Sequence, residues 1–369
     1  MTEVAVVREP GGPFVVEDVE LDELRADELR VRMVAVGICH TDISAARGVI
    51  PFPLPAVLGH EGAGVVIAVG ADVHRARVGD KVLLSYTSCG RCVACRGGRP
   101  SYCRSHLRLN LLGGTRSDGS ATVRDHDGGE LHAHFFGQSS FGREAIVDER
   151  SVVVLPADVS EEEMIVLAPL GCGIQTGSGA VLNTLRPRPG TTLAVAGAGA
   201  VGLAAVLAAR WTALREIVVI DRVSSRLELA LELGAMSVVN TSRQELRPAL
   251  LELTAGEGID YAIDGTGNLG VIEALADSLS VEGHLALIGA PAAGSRASFD
   301  VNAQLPGRVI QGTTMGSADP ETYLPFLVDA WRRGAFPIER LERRYPFEDI
   351  ERAVADARSG ESIKPVLIF

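Results

Sequence analysis

A chain of 369 residues has room for about two domains. Its net charge of −12 at pH 7 argues against nucleic acid or an anionic membrane as main partner, and six cysteines are too few for a disulfide scaffold of this length. With 46% hydrophobic but only 5% aromatic residues, the core must be built mostly from Val, Leu, Ile and Ala.

The first ten residues lack a basic region followed by an apolar segment, so no signal peptide and a cytoplasmic, reducing location are expected. Residues 1 to about 170 predict a β-rich domain with long loops. Runs at 31–36, 64–69, 81–84 and 151–155 are rich in Val and Leu and are punctuated by Gly, Pro and Asp. Residues 104–142 are polar and weakly periodic and predict an extended surface loop. From Leu193 the pattern alternates. Strand-like runs at 193–196, 217–221, 237–240, 259–264 and 284–289 enclose helical patterns at 200–210, 225–234, 243–253 and 268–280. Such alternation implies a doubly wound parallel sheet covered on both faces, an α/β fold. Ser225 with Glu228, and Ser242 with Glu245, have capping-box spacing and mark expected helix starts. Helical patterns at 320–333 and 347–358 lead to a final strand at 363–369. The uncharged run 193–209 is nearly long enough to cross a bilayer, but it reads better as a buried strand, a Gly turn and a buried helix.

Three motifs carry chemistry. Cys89-x2-Cys92-x2-Cys95-x7-Cys103 gathers four thiols in one lobe, about 85–110, as a closed structural zinc site requires. An iron–sulfur cluster is the rival reading, and the long last gap and the missing Cys-Pro count against it. Arg91, Arg96, Arg99 and Arg104 in the same lobe read as solvated charge. The second motif is dispersed: Cys39-His40-Thr41-Asp42, Gly59-His60-Glu61 and Cys172. Alone, each is a small core residue or a satisfied polar group. As a set, Cys, His and Cys would leave a fourth tetrahedral position open, as a catalytic zinc site needs. The third is Gly197-x-Gly199-x-x-Gly202 after a strand, with Asp221 ending the next strand. This is the dinucleotide fingerprint, its glycines letting the backbone approach a pyrophosphate at a helix N-terminus. Asp221 would accept from the adenosine ribose hydroxyls and repel a 2′-phosphate, favouring NAD, whereas Arg222 beside it is compatible with NADP.

The order of these motifs, from Cys39 through Gly171-Cys172-Gly173 to Gly202, resembles the zinc-dependent medium-chain alcohol dehydrogenase family over most of the chain. Phe136-Gly-Gln-Ser-Ser-Phe141, Gly171-Cys-Gly-Ile-Gln-Thr176 and Phe299-Asp-Val-Asn302 resemble its aryl (benzyl) alcohol branch most. The resemblance implies a GroES-like catalytic domain from 1–173 and 314–369, with a Rossmann domain, 174–313, between them and the active-site cleft at their junction. It implies two zinc ions per chain. Cys39, His60 and Cys172 would hold the catalytic ion, with Glu61 as a transient or nearby ligand, and Cys89, Cys92, Cys95 and Cys103 the structural one. Asp42 would orient His60. Thr41 would take the alcohol proton and relay it through the nicotinamide ribose. Ser44 stands where many relatives carry the histidine that ends this relay. Thr176 and Val201 would flank the nicotinamide, Arg226 would lie near the adenosine ribose, and His40 and Lys364 near the pyrophosphate. Ile50, Tyr86, Phe135 and Phe136 would line the substrate pocket. The expected reaction is oxidation of a primary aryl or allylic alcohol to the aldehyde with NAD, by a homodimer or homotetramer. Terpene-alcohol (geraniol-like) and glutathione-dependent formaldehyde dehydrogenases are the alternatives within the family. A zinc-stabilised nucleic-acid-binding or regulatory protein is the alternative outside it.

Overall fold

The computed structural model describes all 369 residues, in two units: Met1–Cys172 with Asp319–Phe369, and Gly173–Ala318. The second divide lies at 318, against an expected boundary of about 313.

The first unit is built on two sheets. One runs in the order Ala56–Val57, Thr2–Val7, Val15–Leu21, Val123–Asp125, Glu130–Leu131. The other runs Val152–Val154, Lys81–Leu84, Gly62–Val69, Glu28–Gly37, Lys364–Ile368, Glu342–Pro346, with Glu144–Asp148 also paired to Glu28–Gly37. Leu29, Val31, Met33, Val66, Val82, Leu84 and Val147 form its core. β-Branched and Leu side chains fill a pleated, half-buried surface well, which is why these runs form strands. The C-terminal strand pairs antiparallel with Glu28–Gly37, Val366 lying opposite Gly37. This brings Lys364 to the end of the strand from which Cys39 follows.

In the second unit six strands lie in the order Ser237–Asn240, Glu216–Asp221, Thr192–Ala196, Ile259–Asp264, Leu279–Leu287, Val309–Gly312, and every pairing is parallel. The order reverses at Thr192–Ala196, where a doubly wound sheet opens its ligand crevice. The long uncharged run divides into that strand, a glycine turn and the helix Ala200–Ala209, almost all of it buried. No single helix in the chain is long and apolar enough to cross a membrane.

Three expectations are corrected. The helix Ser224–Leu233 starts one residue early, after Val223, whose apolar side chain offers no acceptor to cap it. Ser242 caps no helix either. Its N–H and hydroxyl both bond Asn240 Oδ1 in an Asx turn, and the helix begins at Leu246 after Glu245. Finally, 104–142 is not an extended surface loop. It holds the π-helical turn Arg108–Leu112 and the strands Val123–Asp125 and Glu130–Leu131. Its polar residues Asn110, Gln138 and Ser139 are buried and bond backbone groups.

Candidate active site

Cys39 stands at the N-cap of the short helix His40–Ala46, where the chain leaves the strand Glu28–Gly37. Asp42, in the first turn, reaches back to the Cys39 N–H at 2.8 Å. Its other oxygen accepts from the Gly59 N–H at 3.1 Å and lies 2.8 Å from His60 Nδ1. One buried carboxylate therefore fixes both the loop and the ring of His60. With Nδ1 committed to Asp42 as donor, Nε2 is the nitrogen that would present its lone pair to a metal once deprotonated. That atom is buried and has no hydrogen-bond partner.

An orphaned buried nitrogen is costly unless something else occupies it. The ligand atoms of Cys39, His60, Glu61 and Cys172 all lie within 4.8 Å of one another. Without a metal, the hydrogen bond from Cys172 holds the Cys39 thiol well below its ordinary value, while the same bond and burial push Cys172 up. Burial works against a charged His60, but Asp42 outweighs it and pushes the imidazole up to about 10. Two soft sulfurs, one imidazole and one carboxylate form a donor set that fits zinc.

Glu61 is fully buried, and Lys364 Nζ donates to its two oxygens at 2.9 and 2.8 Å. The third ammonium proton goes to Ile38 O at 3.1 Å. Lys364 is thus not a solvated surface charge. Its donors are spent on Glu61 and the backbone beside the cysteine–histidine cluster. Burial opposes its charge, but Glu61 outweighs burial and raises its pKa.

The aromatic residues divide. Phe136, in a left-handed backbone conformation (φ 54°), stacks on the His60 ring at 4.4 Å and 19°. Phe135 meets the same ring edge-on at 5.4 Å. Phe52, not singled out in the sequence, packs edge-on to Phe135 at 4.9 Å. The only sequence signal for it is an aromatic between two prolines. Ile50 is half-buried, and its N–H bonds Ser44 O. Tyr86 belongs elsewhere: its ring packs on His106 at 5.5 Å, beside the four-cysteine lobe. Side chains alternate along an extended chain. Ser85 Oγ faces Gly171 O at 2.7 Å, so Tyr86 points the other way. Thr41 Oγ1 accepts from Cys39 Sγ at 3.6 Å, Ser44 lies one turn on, and His40 is exposed.

In the lobe, Cys92 and Cys95 sulfurs lie 3.5 Å apart, and Cys89 and Cys95 3.9 Å. Four sulfurs about 2.3 Å from a zinc ion stand about 3.8 Å apart, so these thiols fit a closed tetrahedral site. The N–H groups of Cys89 and Ser105 donate to the Cys103 sulfur. All six cysteines are free of disulfides.

In the second unit, Gly197 turns with φ +95° and the helix Ala200–Ala209 starts after Gly199, without a side-chain cap. A Cβ on Gly202 would meet Gly197 O at 1.8 Å, so the close turn requires glycine there. Asp221 Oδ2 accepts from the Ala198 N–H at 2.7 Å, and Oδ1 from the N–H groups of Arg222 and Val223. The carboxylate thus braces the glycine turn. Arg226 Nε and Thr176 Oγ1 are buried without partners, Arg222 is exposed, and Val201 is half-buried in the first helical turn. An uncapped helix start, a glycine turn and orphaned polar atoms fit a bound dinucleotide.

Comparisons with known proteins agree with this chemistry. Residues 25–157 match the alcohol dehydrogenase GroES-like domain, and residues 200–329 the zinc-binding dehydrogenase domain. Geraniol dehydrogenase of Castellaniella defragrans is 41% identical over 368 residues, covering 100% of this chain and 97% of the relative. The crystal structure of an alcohol dehydrogenase zinc-binding domain protein from Burkholderia ambifaria superposes with a TM-score of 0.95 at 45% identity, covering 100% of this chain and 98% of that one. Benzyl alcohol dehydrogenase from Acinetobacter calcoaceticus gives 0.94 at 39% identity, with 100% and 99% covered.

Proposed function

Because the chain belongs to the zinc-dependent medium-chain alcohol dehydrogenases, we propose that it oxidises primary aryl or allylic alcohols to aldehydes with NAD. The observation that carries this reading is the orphaned His60 Nε2, gathered with the Cys39 and Cys172 sulfurs within 4.8 Å.

Cys39, His60 and Cys172 would hold the catalytic zinc, and Cys89, Cys92, Cys95 and Cys103 the structural one. Zinc, when held at the first site, would polarise the alcohol hydroxyl and ease loss of its proton. Asp42 keeps His60 in the tautomer that presents Nε2. Thr41 would take the hydroxyl proton, and Ser44, on the same face one turn on, would pass it toward water. Glu61, held by Lys364, is a nearby fourth donor. Gly197, Gly199 and Gly202 would cradle the NAD pyrophosphate, and Asp221 would accept from the adenosine ribose. Thr176 and Val201 would flank the nicotinamide, with Arg226 near the ribose. NAD, when bound, would accept the hydride from the carbinol carbon.

Two relatives named for geraniol and benzyl alcohol favour a carbinol carbon next to a π system. Phe135 and Phe136 against His60, with Phe52 packed on Phe135, suit such a substrate. NADH formation with benzyl alcohol, geraniol, ethanol, and formaldehyde with glutathione tests this. Turnover is expected with the first two, and rapid turnover only of the glutathione adduct would overturn the reading.

We further infer a homodimer or homotetramer in the cytoplasm, joined through the nucleotide-binding unit. The strand Val309–Gly312 ends its sheet with an open edge, and Val301 and Leu305 nearby are more than 70% exposed. Light scattering that finds only monomer would contradict this.

A further inference from the structure

Gln138 is fully buried, and its side-chain amide is committed to three backbone groups. Its Nε2 donates to His60 O at 3.1 Å and to Ser85 O at 2.7 Å, and its Oε1 accepts from the Gly62 N–H at 3.3 Å. Ser85, also fully buried, donates its hydroxyl to Gly171 O at 2.7 Å. Gly171 is the residue before Cys172, and it packs so closely that a Cβ there would meet Leu84 O at 2.2 Å. His60 and Cys172 are distant in sequence but joined by one short path: the His60 carbonyl, the Gln138 amide, Ser85 and the Gly171 carbonyl.

Each link is a buried polar contact, so breaking one removes a partner that fixes the chain there. The path also runs through the peptide carbonyl of one metal-ligand candidate and that of the residue next to another. We propose that Gln138 and Ser85 form a tie that sets the separation of His60 from Cys172, and with it the hold on the catalytic metal. Both are positioning residues. The proposal rests on Cys39, His60 and Cys172 being the metal ligands, as read above.

The tie is tested by metal retention. Ser85→Ala removes the hydroxyl with little change in volume, Ser85→Thr keeps it, and Gln138→Met fills the same space without hydrogen bonds. Loss of groups that orient metal ligands weakens binding by about 10–100-fold. Chelator should therefore strip one of two zinc ions about tenfold faster from Ser85→Ala and Gln138→Met, and the other at the wild-type rate. Ser85→Thr should restore retention. With cobalt in the faster-exchanging site, the visible absorption band should shift in Ser85→Ala and return in Ser85→Thr. The double variant should lose metal no faster than Gln138→Met alone, because one tie is broken twice. Equal retention in Ser85→Ala and Ser85→Thr, or equally faster loss of both ions, would overturn the tie. If Gln138→Met does not fold, the Ser85 pair decides. His60→Ala separates the two claims. It should hold one zinc ion, and if it holds two, the ligand assignment itself fails and the tie with it.

Discussion

Lys364 Nζ bonds both carboxylate oxygens of Glu61, at 2.9 and 2.8 Å, with both side chains out of contact with solvent. A buried ion pair adds little net stability, but removing one partner strands a charge in the interior and costs about 3–5 kcal/mol. Lys364→Met is expected to lower stability in urea unfolding by about that amount. Lys364→Met with Glu61→Gln should recover most of it. A Lys364→Met protein as stable as wild type would contradict the buried pair.

Glu342 lies opposite Lys364 in the strand register, and its Oε1 is buried without a partner. Burial pushes its carboxyl up to about 9, against a partly offsetting attraction from Arg344. A folded value above the unfolded one means the folded chain holds the proton more tightly. Its contribution is therefore fully present below about pH 4.3 and is lost as pH rises toward 9. Glu342→Gln should be more stable than wild type at pH 8, by about 1–3 kcal/mol, and equal to it near pH 4.5. Thermal unfolding at both pH values checks this. The same difference at both would show that the carboxyl does not titrate this way.

How much of this was legible in the sequence follows from how local each signal is. The four-cysteine lobe and the glycine turn before Ala200 are contiguous motifs, and spacing alone identified their residues. The parallel sheet could be read because alternating apolar runs report directly on strands and helices. Residues 104–142 misled because buried polar side chains such as Asn110 and Gln138 look like a solvated loop when their partners are unknown. The burial of Lys364 could not be read either, since its partner Glu61 lies far away in sequence. The packing of Tyr86 on His106 beside the four-cysteine lobe joins residues twenty apart, which no local pattern reports. Ser242 followed a capping pattern that Asn240 defeats with a local turn.

Asp221 braces the glycine turn through Ala198, and the proposed function also has it accept from the adenosine ribose. Asp221→Ser removes the charge and one acceptor, worth about 1.5–3 kcal/mol for a charged hydrogen bond. The KM for NAD should rise at least about tenfold with a smaller change in kcat. With the carboxylate gone, exposed Arg222 should allow measurable turnover with NADP. Steady-state kinetics with both cofactors checks this, and an unchanged preference for NAD would remove Asp221 from cofactor choice.

The central claim is that Cys39, His60 and Cys172 hold the metal at which alcohol is oxidised. Its most direct test is zinc content and benzyl-alcohol-dependent NADH formation, measured side by side in wild type and Cys172→Ala. The account predicts two zinc ions and turnover in wild type. In the variant it predicts one zinc ion, no turnover and retained NAD binding. Turnover that survives in Cys172→Ala, or a variant that still holds two zinc ions, would contradict it.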